Sequence, residues 1–167
     1  FPPTIQAAGP GPANYLMFRW RNAGNATAAG DRLPFGRFNL FDRGEIPADR
    51  RGLRRRGILD GPTRSLRKLH CHVSTLDPGA GYEPHEDSYD VALIVLEGEI
   101  ETLGQRVKPH GIVFYPAHQP HGLKNVGAKA AVYVVFEFHG LERAPDEISF
   151  VPRWVRSRLM NRHYWKK

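Results

Sequence analysis

Histidine and carboxylate side chains are the groups of this chain that could hold a metal ion. The sequence contains eight histidines and 17 aspartates and glutamates, but only one cysteine, Cys71. A single cysteine can form neither an internal disulfide nor a zinc site made of cysteines alone. Any metal bound by one chain must therefore be held by imidazole nitrogens and carboxylate oxygens.

Two of the histidines lie in a segment that has the alternation of a strand. Residues 66–76, LRKLHCHVSTL, alternate in polarity and include β-branched side chains, as strands do. Successive side chains of a strand point to opposite faces, which places His70, His72 and Ser74 on one face and Cys71 on the other. We expect His70 and His72 to be pocket residues or extra metal ligands, and a hydrogen-bonded position in the core is the alternative.

A single carboxylate interrupts an apolar run further along the chain. Glu137 lies within YVVFEF, residues 133–138, and a buried carboxylate needs a partner. Glu137 is therefore either an acid of the pocket or an outward-facing residue. The aromatic residues of the strands are mostly core residues, but binding cavities are largely apolar, so Tyr133 is a further candidate for the pocket.

Short apolar runs separated by proline and glycine predict the framework that positions these side chains. The runs cover residues 91–96, 111–115 and 130–138, and Gly98 interrupts a strand pattern, as at a bend or bulge. Such spacing is typical of a β-sandwich or β-barrel. With 167 residues, 41% of them hydrophobic and 25% charged, the chain has the composition of one soluble all-β domain.

The net charge of +7 is unevenly distributed along the sequence. Lysines and arginines outnumber acidic residues by 13 to 5 in residues 1–68 and by 7 to 3 in residues 139–167, whereas residues 69–138 have 4 against 9. The arginine-rich stretch at residues 50–56 could bind phosphate, but no nucleic-acid-binding motif accompanies it. We expect a solvated basic surface, with residues 49–57 in a charged loop or short helical turn, and no nucleic-acid partner.

The sequence also predicts where in the cell the protein is located. No apolar run approaches the roughly 20 residues that cross a bilayer, and residues 1–12 lack the pattern of a signal peptide. We therefore expect a cytoplasmic protein without a membrane partner. Because the chain begins at Phe1, we expect it to be trimmed or to be a stretch of a longer polypeptide.

Two segments resemble the paired signatures of the cupin superfamily. Residues 78–100, PGAGYEPHEDSYDVALIVLEGEI, have a Pro-Gly turn, a histidine, a second candidate ligand two residues on, and a strand that ends in Glu-Gly. Residues 111–127, GIVFYPAHQPHGLKNVG, have the glycine, proline, histidine and asparagine of the second signature at Gly111, Pro116, His121 and Asn125. The resemblance covers residues 66–140.

This resemblance implies a fold and a domain organisation. The expected fold class is all-β, an RmlC-like cupin jelly-roll β-barrel with an extended N-terminal arm and a short C-terminal helix. Residues 1–65 would form the arm and edge strands, residues 66–140 the barrel, and residues 141–167 a basic, helical tail. Cupins of this size are commonly homodimers, so a second copy of the chain is an expected partner.

The resemblance also implies a set of metal ligands. Many cupins use two histidines and a glutamate from the first signature and a histidine from the second, and the matching positions here are His85, Asp87, Val91 and His121. Val91 cannot bind a metal, and Asp90 should point to the opposite face of the strand. The ligands implied are His85, Asp87 and His121, to which His70 or His72 could add a fourth.

Two imidazoles and one carboxylate form the arrangement used by non-haem Fe(II) oxygenases, and manganese or zinc would also accept it. The expected function is to bind a small polar molecule in the barrel, as a metal-dependent oxygenase or isomerase whose catalytic residues are unknown. The alternative is a ligand-binding or accessory module without catalysis or metal. The valine at position 91 favours the alternative, whereas His85, His121 and Asn125 together favour the enzyme.

Overall fold

The computed structural model of this protein describes residues 5–19, 40, 48–49, 51–63 and 65–140. Nine strands lie in these ranges: β1 (Leu53–Gly61), β2 (Lys68–Leu76), β3 (Gly81–His85), β4 (Asp90–Glu97), β5 (Ile100–Thr102), β6 (Gln105–Val107), β7 (Ile112–Tyr115), β8 (His121–Asn125) and β9 (Ala131–His139). The helical tail predicted for residues 141–167 lies outside the described residues. Within them there is no helix, and so none that is long and apolar enough to cross a membrane.

The strands form two antiparallel sheets, as the predicted jelly roll requires. One sheet has five strands in the order β1-β2-β9-β4-β7, and the other has four in the order β3-β8-β5-β6. All pairings among them are antiparallel. The all-β class is therefore confirmed for the described residues.

The main core lies between the two sheets. One cluster of buried side chains joins Val91 and Tyr133 of the five-stranded sheet to Ile100 and Leu123 of the four-stranded sheet. Alternate residues of β2, β4 and β9 face this cluster, and the residues between them face the opposite way. We call the side of the five-stranded sheet that packs on this cluster its inner face.

A second cluster covers the outer face of the five-stranded sheet. It contains Cys71, Ile94 and Val134, and the aromatic ring of Phe18 from the N-terminal segment packs against it. Cys71 therefore faces away from the interior between the sheets, on the side opposite His70 and His72. The alternation predicted for β2 is confirmed.

The arginine-rich stretch forms a strand where a loop or helical turn was predicted. Residues 49–57 were expected in a loop or helical turn, but the chain is extended from Leu53 and pairs with β2 at the edge of the sheet. Leu53 is buried in the core, whereas the arginines that follow it are half-buried or exposed. Charged residues are common on edge strands because they discourage pairing with other chains, so the charge that suggested a loop is compatible with a strand.

The break at Gly98 is confirmed as a bend, which directly follows a bulge near the end of β4. The φ angle of Gly98 is 72°, and the register between β4 and β9 shifts between Val95 and Glu97. A Cβ atom on Gly98 would lie 2.7 Å from the carbonyl oxygen of Ala130. Only glycine fits this positive φ and this close approach without strain.

Candidate metal centre

The ends of two paired strands bring the first group of candidate ligands together. His85 is the last residue of β3 and His121 the first of β8, and the two lie opposite each other in the antiparallel register. Asp87 follows β3 by two residues. One donor atom from each of His85, Asp87 and His121 lies within 4.8 Å of the other two. We call these three residues the first group.

Both histidines of the first group face one oxygen of Asp87. The distance to Asp87 Oδ2 is 3.6 Å from His85 Nε2 and 3.5 Å from His121 Nε2. Asp87 and His121 are both buried, with exposures of 7% and 4%. The donor atoms of Asp87 and His121 are therefore sheltered, whereas the His85 side chain is 33% exposed and lies on the solvent side of the group.

The tautomer of His121 follows from its contact with the backbone. His121 Nδ1 lies 2.8 Å from the carbonyl oxygen of Gln119, and because a carbonyl can only accept, Nδ1 must carry the hydrogen. Burial lowers the pKa of His121 to about 4, against the opposing effect of the Gln119 hydrogen bond, so the ring is neutral at neutral pH. Its Nε2 then presents a lone pair toward the Asp87 carboxylate, which is the state in which imidazole binds metals.

Neighbouring side chains fix the plane of the His121 ring. Tyr115 stacks on it with the ring centroids 4.0 Å apart and the planes 12° apart. The Thr102 hydroxyl donates to the carbonyl of Gly122 at 2.7 Å, so the Tyr115 hydroxyl donates its own hydrogen to Thr102, also at 2.7 Å. Tyr115 is thus held in place at its far end, and His121 cannot turn without disturbing it.

Val91 and Asp90 add no ligand to the first group. Val91 is buried in the core between the sheets. Asp90 is exposed and accepts a hydrogen bond from the backbone N–H of Ala117 at 2.9 Å. The two residues point to opposite faces of β4, as the alternation predicts.

The structure places the candidate fourth ligands in a group of their own. His70 and His72 join Glu137, and one donor atom from each lies within 4.8 Å of the other two. His70 lies opposite Glu137 in the β2–β9 register. His70 and His72, which the sequence offered as pocket residues or extra ligands, lie on β2, in the sheet that does not contain β3 and β8. We call these three residues the second group.

The direction of Glu137, which the sequence left open, is set by its register. Glu137 lies opposite Val91, whose side chain is part of the core between the sheets, so Glu137 points inward. Burial raises the pKa of Glu137, but the hydrogen bond from His139 and the charges of His70 and His72 outweigh it, so the pKa is lowered. The carboxylate is therefore ionised at neutral pH.

Tyr133 also lies inside, between the two sheets. It is 1% exposed, and burial raises its pKa to about 12, although its hydrogen bonds with Ser74 and Tyr82 act in the opposite direction. Tyr133 is therefore a protonated phenol on the inner face of β9, where it can donate or accept a hydrogen bond.

Two residues near the groups were missed by reasoning from the sequence. Asp60 Oδ1 lies 3.0 Å from His70 Nδ1, and Tyr115 stacks on His121. Asp60 falls in the region that was expected to form the arm and edge strands, and only the pairing of β1 with β2 brings it to His70. The strand pattern of β1 was the signal that could have indicated it.

Comparison with known proteins agrees with the fold and the two signatures. Residues 72–137 match the protein family described as Cupin domain. No curated protein matches the sequence.

Solved structures with the same fold cover most of the chain. KdgF from Halomonas sp. is 22% identical, with a TM-score of 0.51 over 68% of this chain and 99% of its own. An RmlC-like cupin from Shewanella frigidimarina is 19% identical, with a TM-score of 0.51 over 71% and 100%. The polyketide cyclase RemF from Streptomyces resistomycificus is 16% identical, with a TM-score of 0.51 over 74% and 99%. At these identities the likeness is one of fold alone.

Proposed function

Because residues 72–137 form a cupin domain, we propose that the first group binds a divalent transition metal and presents it to a small polar molecule between the two sheets. The observation that carries this proposal is the convergence of two imidazoles and one carboxylate within 4.8 Å. Iron(II), manganese and zinc all accept such a set of donors.

The chemistry of the donor atoms supports this proposal. His121 Nε2 and the Asp87 carboxylate both present lone pairs, and they face each other at 3.5 Å. His121 Nδ1 donates to a backbone carbonyl, an outer contact that commonly orients metal-binding histidines. A cation between these donors would convert two opposed lone pairs into two favourable contacts.

The proposed activity is that of a metal-dependent oxygenase or isomerase. A bound divalent cation would supply a Lewis acid or an oxygen-activating centre. The contact with Gln119 would keep the His121 ring in position to bind the cation. The aromatic rings of Tyr82 and Tyr115, which pack near His85 and His121, would shelter the reaction. A set of three protein ligands leaves coordination positions for the substrate.

A ligand-binding module without metal is the second candidate. The observation in its favour is Val91, which occupies the position of the glutamate ligand in many cupins and is buried in the core. Under this alternative, His85, Asp87 and His121 would hydrogen-bond a polar ligand directly.

Metal binding to the full chain distinguishes the two candidates. We expect His121→Ala and the size-conserving Asp87→Asn to lose one bound metal ion per chain, measured by mass spectrometry of the elements after dialysis. His110→Asn is the matched control, because His110 is exposed and its φ of 69° suits asparagine. Thermal unfolding of each variant shows whether it is folded.

The metal content of a double variant can refute the proposal. If the His85→Ala/His121→Ala double variant is folded and holds as much metal as the wild type, the proposal fails. The ligand-binding alternative would then be the better account of the barrel.

A further inference from the structure

We propose that the second group, His70, His72 and Glu137, forms a separate zinc site on the inner face of the five-stranded sheet. It shares no residue with the first group, and its donor atoms lie within 4.8 Å of one another. Two imidazoles and one carboxylate are an established ligand set for zinc with an open fourth position. This inference does not depend on metal binding by the first group.

The second group lies on a rigid part of the fold. β2 and β9 are interior strands of the sheet, and they pair without a register shift from Lys68 and His139 to Leu76 and Ala131. His70 lies directly opposite Glu137, and His72 follows His70 by two residues on the same face. Sites on regular strands keep their geometry better than sites on loops, so the three donors are positioned before any cation binds.

A carboxylate orients His70 from outside the group. Asp60 Oδ1 lies 3.0 Å from His70 Nδ1, and an ionised carboxylate can only accept, so Nδ1 carries the hydrogen. In the neutral ring, the lone pair is then on Nε2. A histidine that binds zinc through one nitrogen commonly donates the other N–H to a carboxylate in this way.

Glu137 is positioned by a similar contact. His139 Nε2 donates to Glu137 Oε2 at 3.1 Å, and His139 in turn lies against Tyr89, with their ring centroids 3.8 Å apart. One carboxylate oxygen is thus held by a buried histidine. Outer contacts of this kind are the usual support of a metal-binding carboxylate.

His72 provides the independent observation that the group is incomplete. Its exposure is 7%, and its Nδ1 has no hydrogen-bond partner among the described residues. A buried polar atom without a partner is unfavourable, and such atoms are rare in folded proteins. Because one nitrogen of His72 lies within 4.8 Å of the donor atoms of His70 and Glu137, a cation bound by the group would give this buried ring a charged partner.

Zinc binding to the full chain tests this inference by stoichiometry. Isothermal titration with Zn²⁺ should give two sites per chain for the wild type and for the control His110→Asn. His70→Ala and Glu137→Gln should each lose one site, since His70 and Glu137 are only half-buried and their replacement should leave the protein folded. Asp87→Asn should lose the other site.

Asp60→Asn tests the orienting contact separately. We expect it to keep both sites but to weaken zinc binding at the second group by about 10-fold to 100-fold, as loss of an outer partner typically does. The affinity of the site removed by Asp87→Asn should stay unchanged. A purely structural role for Asp60 would change the melting temperature without changing either affinity.

The two proposals fail in different ways. If folded His70→Ala and Glu137→Gln bind as much zinc as the wild type, the second site is refuted, whatever Asp87→Asn does. If Asp87→Asn keeps all its zinc while His70→Ala loses one ion, the second site stands and the first group fails.

Discussion

Each group contains a buried or half-buried histidine whose tautomer is set by an oxygen outside the group. In the first group the oxygen is the carbonyl of Gln119, which accepts from His121 Nδ1. In the second group it is the carboxylate of Asp60, which accepts from His70 Nδ1. The carboxylate makes its histidine a stronger electron donor than a carbonyl does. We therefore expect the zinc affinity of the second group to be higher than that of the first group.

Asn125 illustrates a residue of the second signature whose role is structural. Its side-chain amide donates to the carbonyls of Leu76 and Lys129, both at 2.9 Å, and its oxygen accepts from the N–H of Gly127 at 2.9 Å. The side chain is fully buried. Asn125 thus ties the end of β2 to the turn between β8 and β9, and its presence in the signature does not by itself argue for catalysis.

Cys71 should be chemically inert in the folded protein. It lies on the outer face of β2 and is 1% exposed, and burial raises the pKa of its thiol to about 12. Because the thiolate is the nucleophile, iodoacetamide at pH 8 should label the native protein slowly and the denatured protein rapidly. Mass spectrometry of the intact chain measures both rates, with Cys71→Ala as the unlabelled control. Fast, complete labelling of native protein would show that Cys71 is accessible.

At the scale of the element, the close approach of β3 and β8 determines the first group. A Cβ atom on Gly122 would lie 2.8 Å from both Pro84 N and Tyr82 O, in the backbone of β3. Since these contacts are with backbone, the strands themselves would have to move. The absence of a side chain at Gly122 is what allows His85 to approach His121.

Gly122→Ala should therefore separate β3 from β8. We expect a loss of roughly 1–3 kcal/mol in the free energy of unfolding, typical of overpacking, and weaker zinc binding at the first group, with binding at the second group unchanged. Gly57→Ala is the matched control, because nothing lies within 4 Å of a Cβ atom there. Denaturant unfolding and zinc titration measure the two effects. Wild-type stability and affinity in Gly122→Ala would contradict this account of the strand contact.

The elements also show what the sequence could and could not predict. The alternation in β2 placed His70 and His72 on one face correctly, because the period of a strand is a local property. Which residues they meet depends on the pairing of β2 with β9, and that pairing places His70 opposite Glu137, 67 residues further along the chain. For this reason the direction of Glu137 stayed open, and so did the choice between ligand and core residue for His70 and His72. Edge strands were expected within residues 1–65, but the first half of β1 was expected to be a loop or helical turn because of its charge.

At the scale of the whole molecule, charge contributes little to holding β1 in place. Arg54 pairs with Asp77 at 2.5 Å, but the two side chains are 37% and 40% exposed. Ion pairs this exposed are usually worth at most about 1 kcal/mol. Leu53, buried in the core, and the backbone pairing with β2 are therefore the main attachments of this edge strand.

The opposite edge of the five-stranded sheet is the place where we expect a second copy of the chain. Ile112 and Phe114 of β7, which is the edge strand among the described residues, are 52% and 55% exposed, and a sheet edge with exposed apolar side chains favours pairing with another chain. Closed two-fold dimers are the commonest assemblies of identical chains. This arrangement would bury the apolar side chains and cover, in one contact, the edge that no described strand pairs with.

Light scattering after size-exclusion chromatography should therefore give the wild type twice the chain mass of 18.9 kDa. Phe114→Lys should shift the protein toward the single-chain mass, because a buried unpaired charge is costly. Leu103→Asn is the control, since Leu103 is equally exposed, at 52%, lies in the turn after β5, and has a φ of 50° that asparagine tolerates. A wild type that elutes only at the mass of one chain at micromolar concentration would rule the dimer out, and a dimer unaffected by Phe114→Lys would move the interface away from β7.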